Sequence, residues 1–133
     1  MNEPLDIVEE WLLIAYDDWD SAKFLFENKH PKPLEIICYH CQQSAEKSFK
    51  AFLVHCGVEA PKIHDCAKIC GLCIEEDDAF ESLLHDCIEL ALYAARTRYP
   101  SRMELEESNA RAALEKAAAV YAFVSARIEK KEE

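Results

Sequence analysis

Apolar residues return at steps of three and four along most of this chain, the period of a helix buried on one face. The clearest case is CYHCQQSAEKSFKAFLVHC, Cys38 to Cys56. Leu34, Ile37, Cys38, Cys41, Ala45, Ser48, Phe49, Phe52, Leu53 and Cys56 share one side of that helix. Gln42, Gln43, Glu46, Lys47 and Lys50 form a polar stripe on the other. Glu46 precedes Lys50 by one turn, an order that suits both the pair and the helix dipole. Pro33 fits a first-turn position, and Gly57 fits a left-handed stop.

Three more long helices are predicted around it. The first runs from about Pro4 to Asn28, burying Val8, Trp11, Leu12, Ala15, Trp19, Ala22 and Phe26, with Asp17, Asp18 and Asp20 on solvated flanks. In the connector VEAPKIHD, Pro61 breaks the chain and Asp65 is placed to cap a short helix, Ala67 to Cys73, weakened by Gly71. Glu75, Glu76, Asp77 and Asp78 crowd the start of the next long helix, where negative charge is favourable. Its core face is Phe80, Leu83, Leu84, Cys87, Ile88, Ala91 and Ala94, and it ends before Pro100. Ser101 and Glu104 have capping-box spacing ahead of the last helix. That helix reaches about Ile128 with Ala110, Leu114, Ala117, Tyr121, Val124 and Ile128 inward. No segment alternates with period two for long enough to be a strand. The expected fold is one all-α domain over residues 1–133, an antiparallel up-and-down bundle of four long helices plus one short accessory helix.

Composition narrows the function. The 133 residues suit a single core, and the net charge of −11 argues against general binding of duplex DNA. No apolar run spans a membrane, and the acidic start lacks a secretory pattern, so a cytoplasmic location is expected. The cysteine count of seven is odd, and most of the cysteines fall on apolar faces, which reads as reduced, small hydrophobes. Cys70 and Cys73 spell C-x-x-C without the strand a redox site needs. Cys38, His40, Cys41, Cys66, Cys70 and Cys73 do not form the paired sets of a zinc site. Neither a metal nor a cofactor is expected. His64 and Asp65 read as connector packing and a helix cap rather than an acid–base pair.

The surface-chemistry signal is a reversal of charge. Gly71 to Ala95 holds seven acidic residues and no Lys or Arg, and then Arg96, Arg98 and Arg102 arrive together, with Tyr93 and Tyr99 among them. Guanidinium forks suit phosphate oxygens. If the two helices lie side by side, Lys47 and Lys50 join the same anion site. The plain alternatives are arginines that neutralise the acidic helix or a partner protomer, and a lysine stripe that is an ordinary solvated or dimer-facing surface.

Four of these pieces, in order, resemble the HEPN domain family. They are Ala15-x-x-Asp18-Trp19-x-x-Ala22, the run CYHCQQSAEKSFKAFLVHCG, the connector Pro61-Lys-Ile-His-Asp65, and the ending Arg98-Tyr99-Pro100. The resemblance implies a four- or five-helix bundle that commonly forms a homodimer. Many members are ribonucleases that use an Arg, four to six residues, then a His. Here no histidine follows Arg96, Arg98 or Arg102, because His85 is the last in the chain. The branch most resembled is the one associated with minimal nucleotidyltransferases. It implies a non-catalytic module that binds a nucleotide or RNA and partners a separately encoded nucleotidyltransferase, as in toxin–antitoxin-like systems. Gln43, Lys47, Lys50, Arg96, Arg98 and Tyr99 are the nucleotide- or anion-binding candidates, and no catalytic residue is assigned. The alternatives are a divergent ribonuclease lacking the usual motif and a purely structural dimerisation domain.

Overall fold

The computed structural model describes residues 6–95 and 105–132, in an all-α arrangement. Helix α1 spans Ile7–Asn28, α2 Leu34–His55, α3 Cys66–Glu76, α4 Leu84–Ala95 and α5 Glu107–Glu132. A 3₁₀ turn, Asp78–Leu83, runs directly into α4 and completes the third long helical stretch. The expected bundle is the observed one: four long helical stretches and the short α3.

Local chemistry sets the ends. Asp6 caps α1 by accepting the Val8 amide at 3.2 Å. Helix α2 begins after Pro33 and closes at Gly57, whose φ of +84° is left-handed. There the Val58 amide reaches the Leu53 carbonyl and the Gly57 amide reaches Val54, each at 2.9 Å. That pair of bonds is the Schellman closure, and a side chain at Gly57 would strain it. Asp65 caps α3 through the Ala67 and Lys68 amides.

Four boundaries differ from the sequence reading, one of them the end of the last helix, which runs past Ile128 to Glu132. Helix α3 continues past Cys73 to Glu76, so Glu75 and Glu76 end it instead of starting the next element. The break falls at Asp77, which caps the 3₁₀ turn through the Ala79 amide and accepts from Nε and Nη2 of Arg127 in α5 on its other oxygen. The last helix starts at Glu107, after Leu105 and Glu106, with the Asn109 side chain accepting the Glu106 amide at 2.8 Å. Pro4, Pro100 and the expected Ser101–Glu104 cap lie outside the described residues.

Helix α2 is the axis of the molecule and packs against all four other helices. Ala15 and Ala22 of α1 are fully buried, and these small side chains let the Ser44 hydroxyl donate to the Ala15 carbonyl at 2.7 Å. On the opposite side Phe52 and Phe80 lie 4.3 Å apart, with the edge-on Phe123 of α5 at 5.0 Å from Phe80. The fully buried Phe52 and Phe80 each contribute about 1.5–3 kcal/mol. Trp19 donates its indole N–H to the Leu114 carbonyl at 2.9 Å, tying α1 to α5. The predicted core faces are largely the observed ones. In α4, however, Leu90 is buried while Ile88 stands in solvent.

Candidate functional site

A helix with neighbours on every side has little solvated face left. The polar stripe of α2 is therefore not solvated as its spacing suggested: Gln42, Glu46 and Lys50 are buried, and Gln43 and Lys47 are half-buried. Charges removed from water in this way need partners. They have them in two groups.

The first group joins α2 to α1. One Asp18 oxygen meets His40 Nδ1 and the other meets Lys47 Nζ, both at 3.3 Å. His40 and Lys47 are two turns apart on α2, so a single carboxylate braces that face. Burial raises the Asp18 pKa, but the hydrogen bond from His40 and the charge of Lys47 outweigh it, leaving the carboxyl below its ordinary value. Asp18 is thus a half-buried partner instead of a solvated flank, and His40 was not among the expected site residues. The sequence signals were the motifs themselves: Asp18 stands in Ala15-x-x-Asp18 and His40 in the run that opens CYHCQQ, but nothing in either paired the two.

The second group holds the connector. Glu46 is fully buried, and its Oε2 accepts Lys50 Nζ at 2.9 Å and meets His64 Nδ1 at 3.2 Å. Its Oε1 meets no donor among the described residues. The Lys50 ammonium also lies 5.5 Å from the Trp11 ring centre. Next to this, Gln42 Oε1 accepts the Cys66 amide at 2.8 Å, and Gln42 Nε2 donates to Gln43. The stripe thereby pins the segment His64–Asp65–Cys66 and sets where α3 begins. The His64 side chain stays 66% exposed, with Nδ1 turned inward.

The cysteines belong to the packing. Cys38, Cys41, Cys66, Cys70, Cys73 and Cys87 are buried, and Cys56 is half-buried. Their thiols donate to carbonyls, Cys66 to Cys87 and Cys73 to Phe49. Contact with Cys87 and then burial push the Cys70 thiol up, and burial does the same for Cys41 and Cys73. Among the described residues no three His, Cys, Asp or Glu side chains group as metal ligands.

Of the expected anion-binding residues, Lys47 is on the half-open face with Gln43 beside it, while Lys50 is turned inward onto Glu46. Arg96, Arg98 and Tyr99, with Arg102, lie outside the described residues. Among the described residues no helix is long and apolar enough to cross a membrane.

The sequence model of the HEPN domain matches residues 8–130, and the chain belongs to that family. Two solved structures share the fold. One is ST0689, an archaeal HEPN homologue, 23% identical with a TM-score of 0.70 over 91% of this chain and 97% of that one. The other is TT1696 from Thermus thermophilus, 21% identical with a TM-score of 0.74 over 89% of this chain and 95% of that one. A comparison with curated proteins found no match.

Proposed function

We propose that this HEPN domain is a non-catalytic nucleotide-binding and interaction module, working in the cytoplasm as a homodimer beside a separately encoded nucleotidyltransferase in a toxin–antitoxin-like system. The observation that carries the binding reading is Lys47. Its ammonium is held by Asp18 on the half-open face of α2, next to His40 and Gln43, and a lysine has three donors to share. Arg96, Arg98 and Tyr99 complete the site in this reading, and Lys50 supports it from inside through Glu46. Dimerisation is common in the family. Thermal shift against ATP and other nucleotides tests the reading, since a ligand of the native state raises the melting point. The expected result is a rise in the parent that Lys47→Gln and Arg98→Ala each abolish. No rise with any nucleotide removes the nucleotide-binding reading and leaves a structural dimerisation domain or a ribonuclease.

A second reading rests on His64. Its Nδ1 meets a buried carboxylate, an arrangement that fixes an imidazole tautomer for acid–base work. A divergent ribonuclease using His64 in place of the absent motif would cleave tRNA in the parent and lose that cleavage in His64→Gln. Intact tRNA after incubation with the parent removes it.

A further inference from the structure

Helix α1 carries an unusual load of apolar side chains in solvent. Ile7, Leu13, Ile14, Tyr16 and Phe24 are 45% to 63% exposed. Exposed aliphatic residues scattered singly are ordinary. Here Leu13 and Tyr16 border a shallow cleft.

Between α1 and α5, Tyr16, Trp19, Ala118 and Tyr121 wall a cavity of about 90 Å³. Glu9, Leu12 and Leu13, with the same two tyrosines, line an adjoining cleft of about 340 Å³. The walls are braced against each other. The Tyr16 ring centre is 6.1 Å from Trp19 and 6.0 Å from Tyr121, and the Trp19 indole is fixed on the Leu114 carbonyl. The inner cavity has room for one aliphatic or small aromatic side chain, well short of the roughly 300 Å³ at which ligand pockets begin.

The rim is acidic. Glu9 lines the cleft, exposed Asp20 lies one turn beyond Tyr16, and exposed Glu115 lies one turn before Ala118. Lys23, whose ammonium sits 5.5 Å from the Trp19 ring centre, offsets only part of that charge. This settles which occupant the cleft suits. A twofold contact between copies would set the same acidic rim against itself, and like charges across an interface cost affinity. A basic partner gains on both counts.

We propose that the α1–α5 cleft docks a cationic amphipathic segment of a partner protein. One apolar side chain seats among Tyr16, Trp19 and Tyr121, and basic side chains meet Glu9 and Asp20. This is the helix-in-groove mode of recognition. It uses a face of α1 away from the Asp18 site and stands whether or not a nucleotide binds there.

The test uses the full chain and a synthetic amidated peptide of Leu and Lys, about four helical turns long, with its leucines on one face. A scrambled isomer of identical charge, whose leucines share no face, is the control. Calorimetry is expected to show at least tenfold tighter binding of the amphipathic peptide, with amide shifts concentrated on α1 and α5. Leu13→Ser and Asp20→Lys, both at exposed positions and checked for an unchanged circular dichroism spectrum, are each expected to weaken it several-fold. Equal binding of the two peptides, no binding, shifts elsewhere, or unchanged binding by both variants would overturn the proposal. So would a dimer in sedimentation that Leu13→Ser dissociates, since the occupant is then a second copy.

Discussion

Glu46 and His64 are joined by a 3.2 Å contact between the fully buried carboxylate of the central helix and the exposed imidazole of the connector that follows it. The same carboxylate oxygen takes the buried Lys50 ammonium. Glu46 is therefore the hub on which a helix, its own lysine and the next segment converge.

Removing only the hub leaves Lys50 charged and buried. Glu46→Gln is expected to lower stability by about 3–5 kcal/mol, whereas a Glu46→Leu, Lys50→Met double variant should recover most of that loss. His64→Ala removes an exposed imidazole from a buried carboxylate that keeps Lys50, and should cost about 1 kcal/mol, well short of the loss in Glu46→Gln. Urea unfolding at neutral pH measures all three. A Glu46→Gln protein as stable as the parent would mean that Lys50 reaches water without its partner.

Asp18 makes part of the stability depend on acid. Its folded pKa is held below the ordinary value of about 3.8, so its stabilisation is complete above the unfolded pKa and is lost as pH falls through the folded one. Asp18→Asn should be less stable than the parent at neutral pH. The gap should close below about pH 4 as the parent loses its advantage. Parallel curves at every pH would place the contribution of Asp18 outside its ionisation.

Gly71 sits inside α3, and a Cβ built there meets nothing within 4 Å. Gly71→Ala should therefore stabilise the protein by about 0.5–1 kcal/mol, because it restricts the unfolded chain without crowding the folded one. A raised melting temperature is the readout. A drop would reveal a contact on that face of α3.

Cys56 is half-buried, while the other cysteines are enclosed. A thiol reagent at neutral pH should label Cys56 first, with the rest reacting only after unfolding. Burial and thiol contacts hold Cys41, Cys70, Cys73 and Cys87 protonated, and thiolate is the reactive form. A Cys56→Ser protein that still labels rapidly would show that another thiol opens to solvent.

The amino-acid order alone determined the helices, most of their inward faces and some of their ends. Those follow from local rules: a period near 3.6, the Asp65 cap, the φ of Gly57 and the proline at position 33. The family was legible for a related reason, since its motifs are runs of residues close in sequence. What periodicity does not encode is how many neighbours a helix has. It gave α2 one wet face and one dry face, the right reading for a helix at the edge of a bundle. With α1, α3, α4 and α5 all packed on it, the polar face is enclosed too, and Glu46 and Lys50 become interior partners instead of surface charges. The pairing of Asp18 with His40 and Lys47, and of Glu46 with His64, joins residues from different elements. Only the folded chain brings those charges together, because removal from water obliges each to find an opposite or hydrogen-bonding group wherever packing has put one.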